Sequence, residues 1–300
     1  HHCDACFLGK ATDFKPNKTL RQWYHPLEMV AVDVIQHPPG HLGYRYTTHF
    51  IDAATGYHWL KFSKDKDAAQ SILKQWITQI EVQTSLKVQN VGMDGGPEFG
   101  QGTNLFSAAP LRKWLESRGT ILRTTTPDTP WYNGKIERAG KSITSYARTA
   151  LIASLLPGTL WPFAEETAAT ILNLLPSQTD PDWRSPHERW ATGIGLPEAD
   201  RKPYIKHLRV FGCAAFVYIK PKYRAKADKM APRSMKGRLI GYDDSHGRIY
   251  FVYLPDKGTI TRVNAVKFHE GFVASSDEDT DIEHEAVFDD PGLTEEYLPG

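Results

Sequence analysis

Leu27-Glu28-Met29-Val30-Ala31-Val32-Asp33-Val34-Ile35 is the stretch on which the fold turns. It is short, apolar and β-branched, and a turn region, Pro38-Pro39-Gly40, follows it. It therefore reads as a buried strand holding one acid. An ionised carboxylate in such surroundings is expensive unless it is paired or metal-bound. Residues 44–51 alternate in hydropathy, and residues 57–62 alternate again, with Ala53-Ala54-Thr55-Gly56 as a turn between them. The three segments together predict an antiparallel meander. Beyond it, Ile72, Leu73, Trp76, Ile77 and Ile80 fall at helical spacing within 67–82, with Asp65 or Asp67 placed to cap the helix. A short strand over 88–93 ends at Asp94-Gly95-Gly96. A helix over 108–117 with Gly119 just past its end, a strand over 121–125, a Pro-rich loop, a long helix over 134–154 and a helix over 161–175 stopped by Pro176 complete the pattern.

The chain has 300 residues, which predicts about two domains. Hydrophobic residues make up 40% and charged residues 24%, enough to bury a core. No run of about 18 apolar residues occurs, so no membrane span is expected. His1-His2-Cys3-Asp4 lacks the charged-then-apolar pattern of a signal peptide. Three cysteines cannot build a disulfide framework, which points to a reducing, intracellular compartment. Residues 176–205 are rich in Pro and Asp and read as a linker. From 206 to 272 the signal is β, with strands expected over 208–211, 214–219, 237–242, 249–253 and 259–268, as in a small barrel or sandwich. Cys213 reads as a core thiol. Residues 273–300 are acidic and apolar-poor, the composition of a disordered tail.

The net charge of +1 hides a strong segregation. Residues 201–240 carry twelve Lys or Arg against one acid, Asp228, whereas 270–290 carry nine acids and no Lys or Arg. A basic block attracts polyanions, nucleic acid above all, although a solvated basic face would have the same composition. Its densest part is Lys220, Lys222, Arg224, Lys226 and Lys229.

Three carboxylates stand out by position. Asp33 lies mid-strand, Asp94 ends the next strong strand after the meander, and Glu137 opens the long helix. Three hard oxygen donors suit Mg²⁺ or Mn²⁺ rather than zinc. Taken singly, each has an ordinary explanation: a hydrogen-bonded core acid, a turn, and a first-turn acid favoured by the helix dipole.

Taken together they resemble the acidic blocks of retroviral-type integrases, most closely those of copia-type LTR retrotransposons. The residues that carry the resemblance are Val32-Asp33-Val34, Met93-Asp94-Gly95-Gly96-Pro97-Glu98-Phe99 and Asn133-Gly134-Lys135-Ile136-Glu137-Arg138. Cys3-Asp4-Ala5-Cys6 is similar to the second half of the family's zinc module. Ser185-Pro186-His187-Glu188-Arg189-Trp190, and His207 to Cys213 followed by Gly237 to Tyr242, are similar to the blocks that follow the core. The resemblance implies an α/β, RNase H-like core with a mixed five-stranded sheet and flanking helices, followed by a small β-rich module. It places a zinc-module remnant at 1–20, a catalytic core at 21–175, a linker at 176–205, a basic β module at 206–272 and an acidic tail at 273–300. It implies a polynucleotidyl transferase in which Asp33, Asp94 and Glu137 ligate two metal ions, Mg²⁺ or Mn²⁺, and a water or DNA 3′-hydroxyl attacks a phosphodiester. Met93 and Gly95 depart from the flanks usual around the second Asp, and the 42 residues between Asp94 and Glu137 exceed the usual spacing.

Glu137, Lys141, Thr144 and Arg148 recur at helical spacing, flanked by Lys135 and Arg138, so this helix face is expected to meet DNA phosphates. Cys3 and Cys6 supply half of a zinc site, and Zn²⁺ would need the family's His ligands, which precede them. The partners implied are DNA, as element ends and target, RNA as a second nucleic acid, and further copies of the chain, with no membrane. The location implied is the nucleus, with a cytoplasmic particle stage. Two other readings remain open at this level: a non-catalytic or domesticated nucleic-acid-binding derivative, and a nuclease of the same fold, for which Asp52 or Glu98 would have to serve as the fourth acid.

Overall fold

A strand buried on both faces belongs in the middle of its sheet, and β1 (Val30–Gln36) occupies that place. The computed structural model describes residues 23–94, 109–125, 134–177, 180–221, 230–243 and 249–271. β2 (Tyr46–Asp52) and β3 (His58–Ser63) pair antiparallel on one side of β1, completing the meander. β4 (Asn90–Asp94) and β5 (Ile121–Thr125) lie parallel on the other side. The order β3-β2-β1-β4-β5, with these directions, is the mixed five-stranded sheet of the RNase H-like fold.

One sheet face is covered by α1 (Ala69–Thr84) and α2 (Ala109–Ser117). Leu73, Trp76 and Ile77 of α1, with Leu111 and Leu115 of α2, close over Val30, Val32, Phe50, Val91 and Met93. Phe50 and Trp76 stack with ring centroids 4.4 Å apart. Neither Asp65 nor Asp67 caps α1, contrary to the expectation from sequence. A short 3-10 turn, Lys66–Ala68, leads into the helix and the Ala69 amide bonds to Lys66 O, so that helix entrance is bonded by backbone instead. Gly119 lies past α2 at φ +76°, as expected. The other face carries α3 (Gly134–Ser154) and α4 (Trp161–Leu174).

The stretch 176–205 is not a loose connection. It contains α5 (Pro186–Gly193) and α6 (Glu198–Arg201), and Trp190 of α5 enters the main core edge-on to Trp59. Asp180, 5% exposed, draws the segment together by accepting from Arg184 and facing Arg189 Nε at 3.4 Å. Arg189 also donates to the Ala54 carbonyl of the β2–β3 turn. Composition alone missed this because the anchors are a few residues in a polar stretch. Ser185 caps α5 reciprocally with Glu188: Glu188 N–H donates to Ser185 Oγ at 3.1 Å, and Ser185 N–H donates to Glu188 Oε2 at 2.8 Å. Ser185→Ala is expected to cost about 1 kcal/mol, read as a lower urea midpoint at unchanged slope; an unchanged midpoint would remove the cap from this account.

A second, all-antiparallel sheet follows, built from β6 (Ala214–Tyr218), β7 (Ser234–Tyr242), β8 (Tyr250–Leu254), β9 (Thr259–Val263) and β10 (Val266–His269), in the order β10-β6-β7-β8-β9. Its own core is Cys213, Ala215, Val217, Leu239, Val252 and Leu254. The segment 208–211 is not a strand, and 259–268 is two strands rather than one. The chain turns at Gly212 (φ +81°), where a Cβ would lie 2.1 Å from Ser154 Cβ at the end of α3, so Gly is required by both conformation and space. The sheet seats on α4 through Phe163 against Phe251, centroids 5.5 Å apart, and through Thr167 Oγ1 donating to Ile240 O at 3.4 Å. Among the described residues, no helix is long and apolar enough to cross a membrane.

Candidate functional site

The parallel pairing of β1 and β4 runs Val30 with Val91, Ala31 with Gly92 and Val32 with Met93. Asp33 and Asp94 are the next residues on these two adjacent strands, and neighbouring strands lie about 4.8 Å apart. Asp33 is half-buried, and its Oδ1 accepts from the Val34 N–H at 2.8 Å. Ala31, Asp33 and Ile35 alternate onto one sheet face. α3 crosses that face, with Ile136 packed on Ala31 and Ile51. Gly140 passes so close that a Cβ there would stand 3.1 Å from Ile35 Cδ1. Glu137 follows Ile136 in the first turn of α3 and is exposed. The side chain of Asp94 lies outside the described residues, and among the described residues no three His, Cys, Asp or Glu side chains form a metal-holding group.

Arg138, Lys141 and Arg148 are exposed on α3, and Lys220 is exposed just beyond β6. Lys135 lies in the first turn of α3, with its side chain outside the described residues. Cys3, Cys6, Lys222, Arg224, Lys226 and Lys229 also lie outside them. Thr144 does not join the cationic face. It is half-buried towards α4 and donates to Glu165 Oε1 at 3.1 Å. The helix turns this position inward because α4 packs alongside it.

Glu165 is the polar centre that sequence reasoning did not single out. It is 1% exposed and also accepts from Thr47 Oγ1 of β2 at 2.7 Å, so one carboxyl joins α4, α3 and the sheet. Burial pushes its pKa up to about 7 against the opposing pull of the two hydroxyl hydrogen bonds. His37 Nε2 stands 3.3 Å from Glu165 Oε1 without hydrogen-bond alignment. Burial lowers the His37 pKa to about 4, so the two form no ion pair at neutral pH, and the His37 ring stacks on Trp161 with centroids 4.1 Å apart. His49, directly opposite Asp33 in the β1–β2 ladder, is fully buried and meets His58 Nδ1 through Nε2 at 3.0 Å. Burial, and secondarily His58, hold it well below the usual histidine range. The signal for this cluster was present as an acid pair, Glu165-Glu166, inside an otherwise apolar helix.

Residues 213–282 match the family model described as the retroviral polymerase SH3-like domain, which covers the second sheet. The Retrovirus-related Pol polyprotein from transposon TNT 1-94 of Nicotiana tabacum is 27% identical over 278 residues, 91% of this chain and 19% of that protein. The corresponding polyprotein from transposon RE2 of Arabidopsis thaliana is 27% identical over 269 residues, 89% of this chain and 17% of that protein. The chain thus spans less than a fifth of the length of either relative. A solved chain of the simian T-cell lymphotropic virus intasome, in complex with PP2A regulatory subunit B56 gamma, is 15% identical with a TM-score of 0.49, covering 89% of this chain and 87% of that one. Over about nine-tenths of its length, then, this chain is similar in sequence to the Pol polyproteins of plant copia-type transposons.

Proposed function

We propose that the chain is the integrase section of a retrotransposon polyprotein and joins element DNA ends to target DNA by metal-dependent phosphoryl transfer. The observation that carries the reading is the placement of Asp33 and Asp94 one step past the Val32–Met93 pair on adjacent parallel strands, under the helix that opens with Glu137. The donor set fits the metal expected, because three carboxylates are hard ligands suited to Mg²⁺ or Mn²⁺. Asp33, Asp94 and Glu137 would hold the metal, which when bound activates the attacking oxygen and stabilises the leaving one. The protein's own part is placement. The Val34 amide restrains the Asp33 carboxyl, and the contacts of Ile136 and Gly140 set the height of α3 above β1. Arg138, Lys141 and Arg148 bind phosphates along the exposed face of α3 and orient the DNA. DNA, RNA and further copies of the chain are the partners proposed, and the nucleus, with a cytoplasmic particle stage, is the place of action proposed.

A non-catalytic derivative is the competing reading, prompted by the residues beside Asp94. Met93 is fully buried in the core beneath α1 and α2, on the sheet side away from α3, so that departure does not crowd the carboxylates. The deciding experiment is strand transfer with a labelled DNA end and Mg²⁺ or Mn²⁺. Labelled products longer than the substrate are expected. DNA binding with no product in either metal would favour the non-catalytic reading.

A further inference from the structure

Side chains directly opposite one another in an antiparallel ladder share a face. On the outer face of the second sheet, Phe216 of β6 therefore stands between Lys267 of β10 and Lys236 of β7. In the next row Ala214 stands between His269 and Arg238, and Tyr218 lies opposite Ser234. Phe216 is 37% and Tyr218 47% exposed. None of these outward positions on β6, β7 and β10 is acidic. The far end of the same face is already occupied, since Gly241 and Phe251 lie against α4. Beside it lies a cationic patch around two exposed aromatic rings, in which Arg238 Nη1 also donates to Gly212 O at 3.0 Å.

We infer that the acidic segment 273–300 of this chain docks on that face in cis, its carboxylates against Lys236, Arg238 and Lys267. Three observations choose this occupant. Residues 272–300 contain ten Asp or Glu and no Lys or Arg, so with a net charge of +1 for the whole chain the remainder carries +11. The segment also leaves from the right place. β10 is the edge strand, its last residue, His269, belongs to the face, and Glu270, paired with Arg209 at 3.2 Å, anchors the exit. Its reach is sufficient as well. Asp277 is eight residues past His269, a span of up to about 27 Å, whereas crossing from β10 to β7 takes about 10 Å. A short tether gives an effective concentration on the order of millimolar. Charges this close attract most strongly below physiological salt, where the Debye length exceeds about 8 Å. If the cationic face also meets nucleic acid, docking there is competitive; that consequence rests on the proposed function, whereas docking itself does not.

The test couples carboxylates to lysines with a zero-length carbodiimide reagent, using the full chain in an equal mixture of ¹⁴N and ¹⁵N protein. Coupling of Lys236 and Lys267 to residues 277–285 within one copy is expected at low salt, and its loss in high salt. Coupling spread evenly over distant lysines such as Lys87 and Lys113, or found only between copies, overturns the inference. In parallel, the affinity for a single-stranded oligonucleotide is measured for the full chain and for a chain ending at Gly271. Truncation is expected to tighten binding about tenfold at low salt. Intramolecular coupling with unchanged affinity keeps the docking and removes this face from the nucleic-acid reading. Tighter binding without specific coupling reduces the segment to a diffuse charge and overturns the docking.

Discussion

Asp33→Asn, Asp94→Asn and Glu137→Gln each lower strand transfer by more than about a hundredfold, with DNA affinity and thermal midpoint close to those of the parent chain. Each change keeps the size of the side chain and removes one negative charge from the carboxylate set. Stability is spared for identifiable reasons. The carboxamide oxygen introduced by Asp33→Asn can still accept from the Val34 N–H, and Glu137 is exposed in the first turn of α3. The loss is therefore expected in the rate and not in folding. The double and triple variants should be barely worse than the singles, because ligands that act as a unit are strongly non-additive. A variant that retains the parent rate takes its residue out of the site. Loss of rate accompanied by an equal loss of DNA binding assigns that residue to the binding surface instead.

The buried pair His37 and Glu165 is expected to give opposite pH slopes once separated. Burial raises the folded pKa of Glu165 from 4.5 to about 7, so the folded chain holds a proton that the unfolded chain releases. The contribution of Glu165 is fully present below pH 4.5 and is lost as pH rises through 7. Burial lowers the folded pKa of His37 from 6.5 to about 4, so its contribution is present above pH 6.5 and is lost as pH falls through 4. Each displacement is worth roughly 3 kcal/mol, and in the parent chain the two nearly cancel over this range. Glu165→Gln removes the Glu165 slope and should lose about 3 kcal/mol relative to parent as pH falls from 7 to 4.5. His37→Gln removes the His37 slope and should lose a similar amount relative to parent as pH rises from 4 to 6.5. Urea unfolding across pH 4 to 8, read as differences from parent, measures both. Slopes of the same sign in the two variants would sink this account of the pair.

Local pattern was sufficient for most elements of the first sheet. The 134–154 helix was legible to the residue because its apolar spacing is long and bounded by Gly134 and the Leu155–Pro157 turn. The meander, the helix over 69–84 and the strands at 90–94 and 121–125 followed from periodicity and turn residues. The errors fell where distant contacts override local composition. The 208–211 segment is apolar and extended in character, yet the approach of Gly212 to Ser154 bends it. The 186–193 helix sits in a polar stretch, yet one indole, Trp190, binds it to the core.

The sequence alone determined the alternation of elements, the segregation of charge and the three acids worth testing, because each is written in spacing along the chain. Only the tertiary structure decided which residues meet. The β1–β4 register pairs Val32 with Met93, so that Asp33 and Asp94, with 60 residues between them in sequence, come next on adjacent strands. The packing of α4 against α3 withdraws Thr144 from the cationic face and gives it to Glu165. Register is fixed by which apolar faces can be buried together, and the pKa of a buried acid by the water that burial removes. Neither is a property of neighbours in sequence, so both Glu165 and the seat of the second sheet on α4 became visible only once the chain was folded.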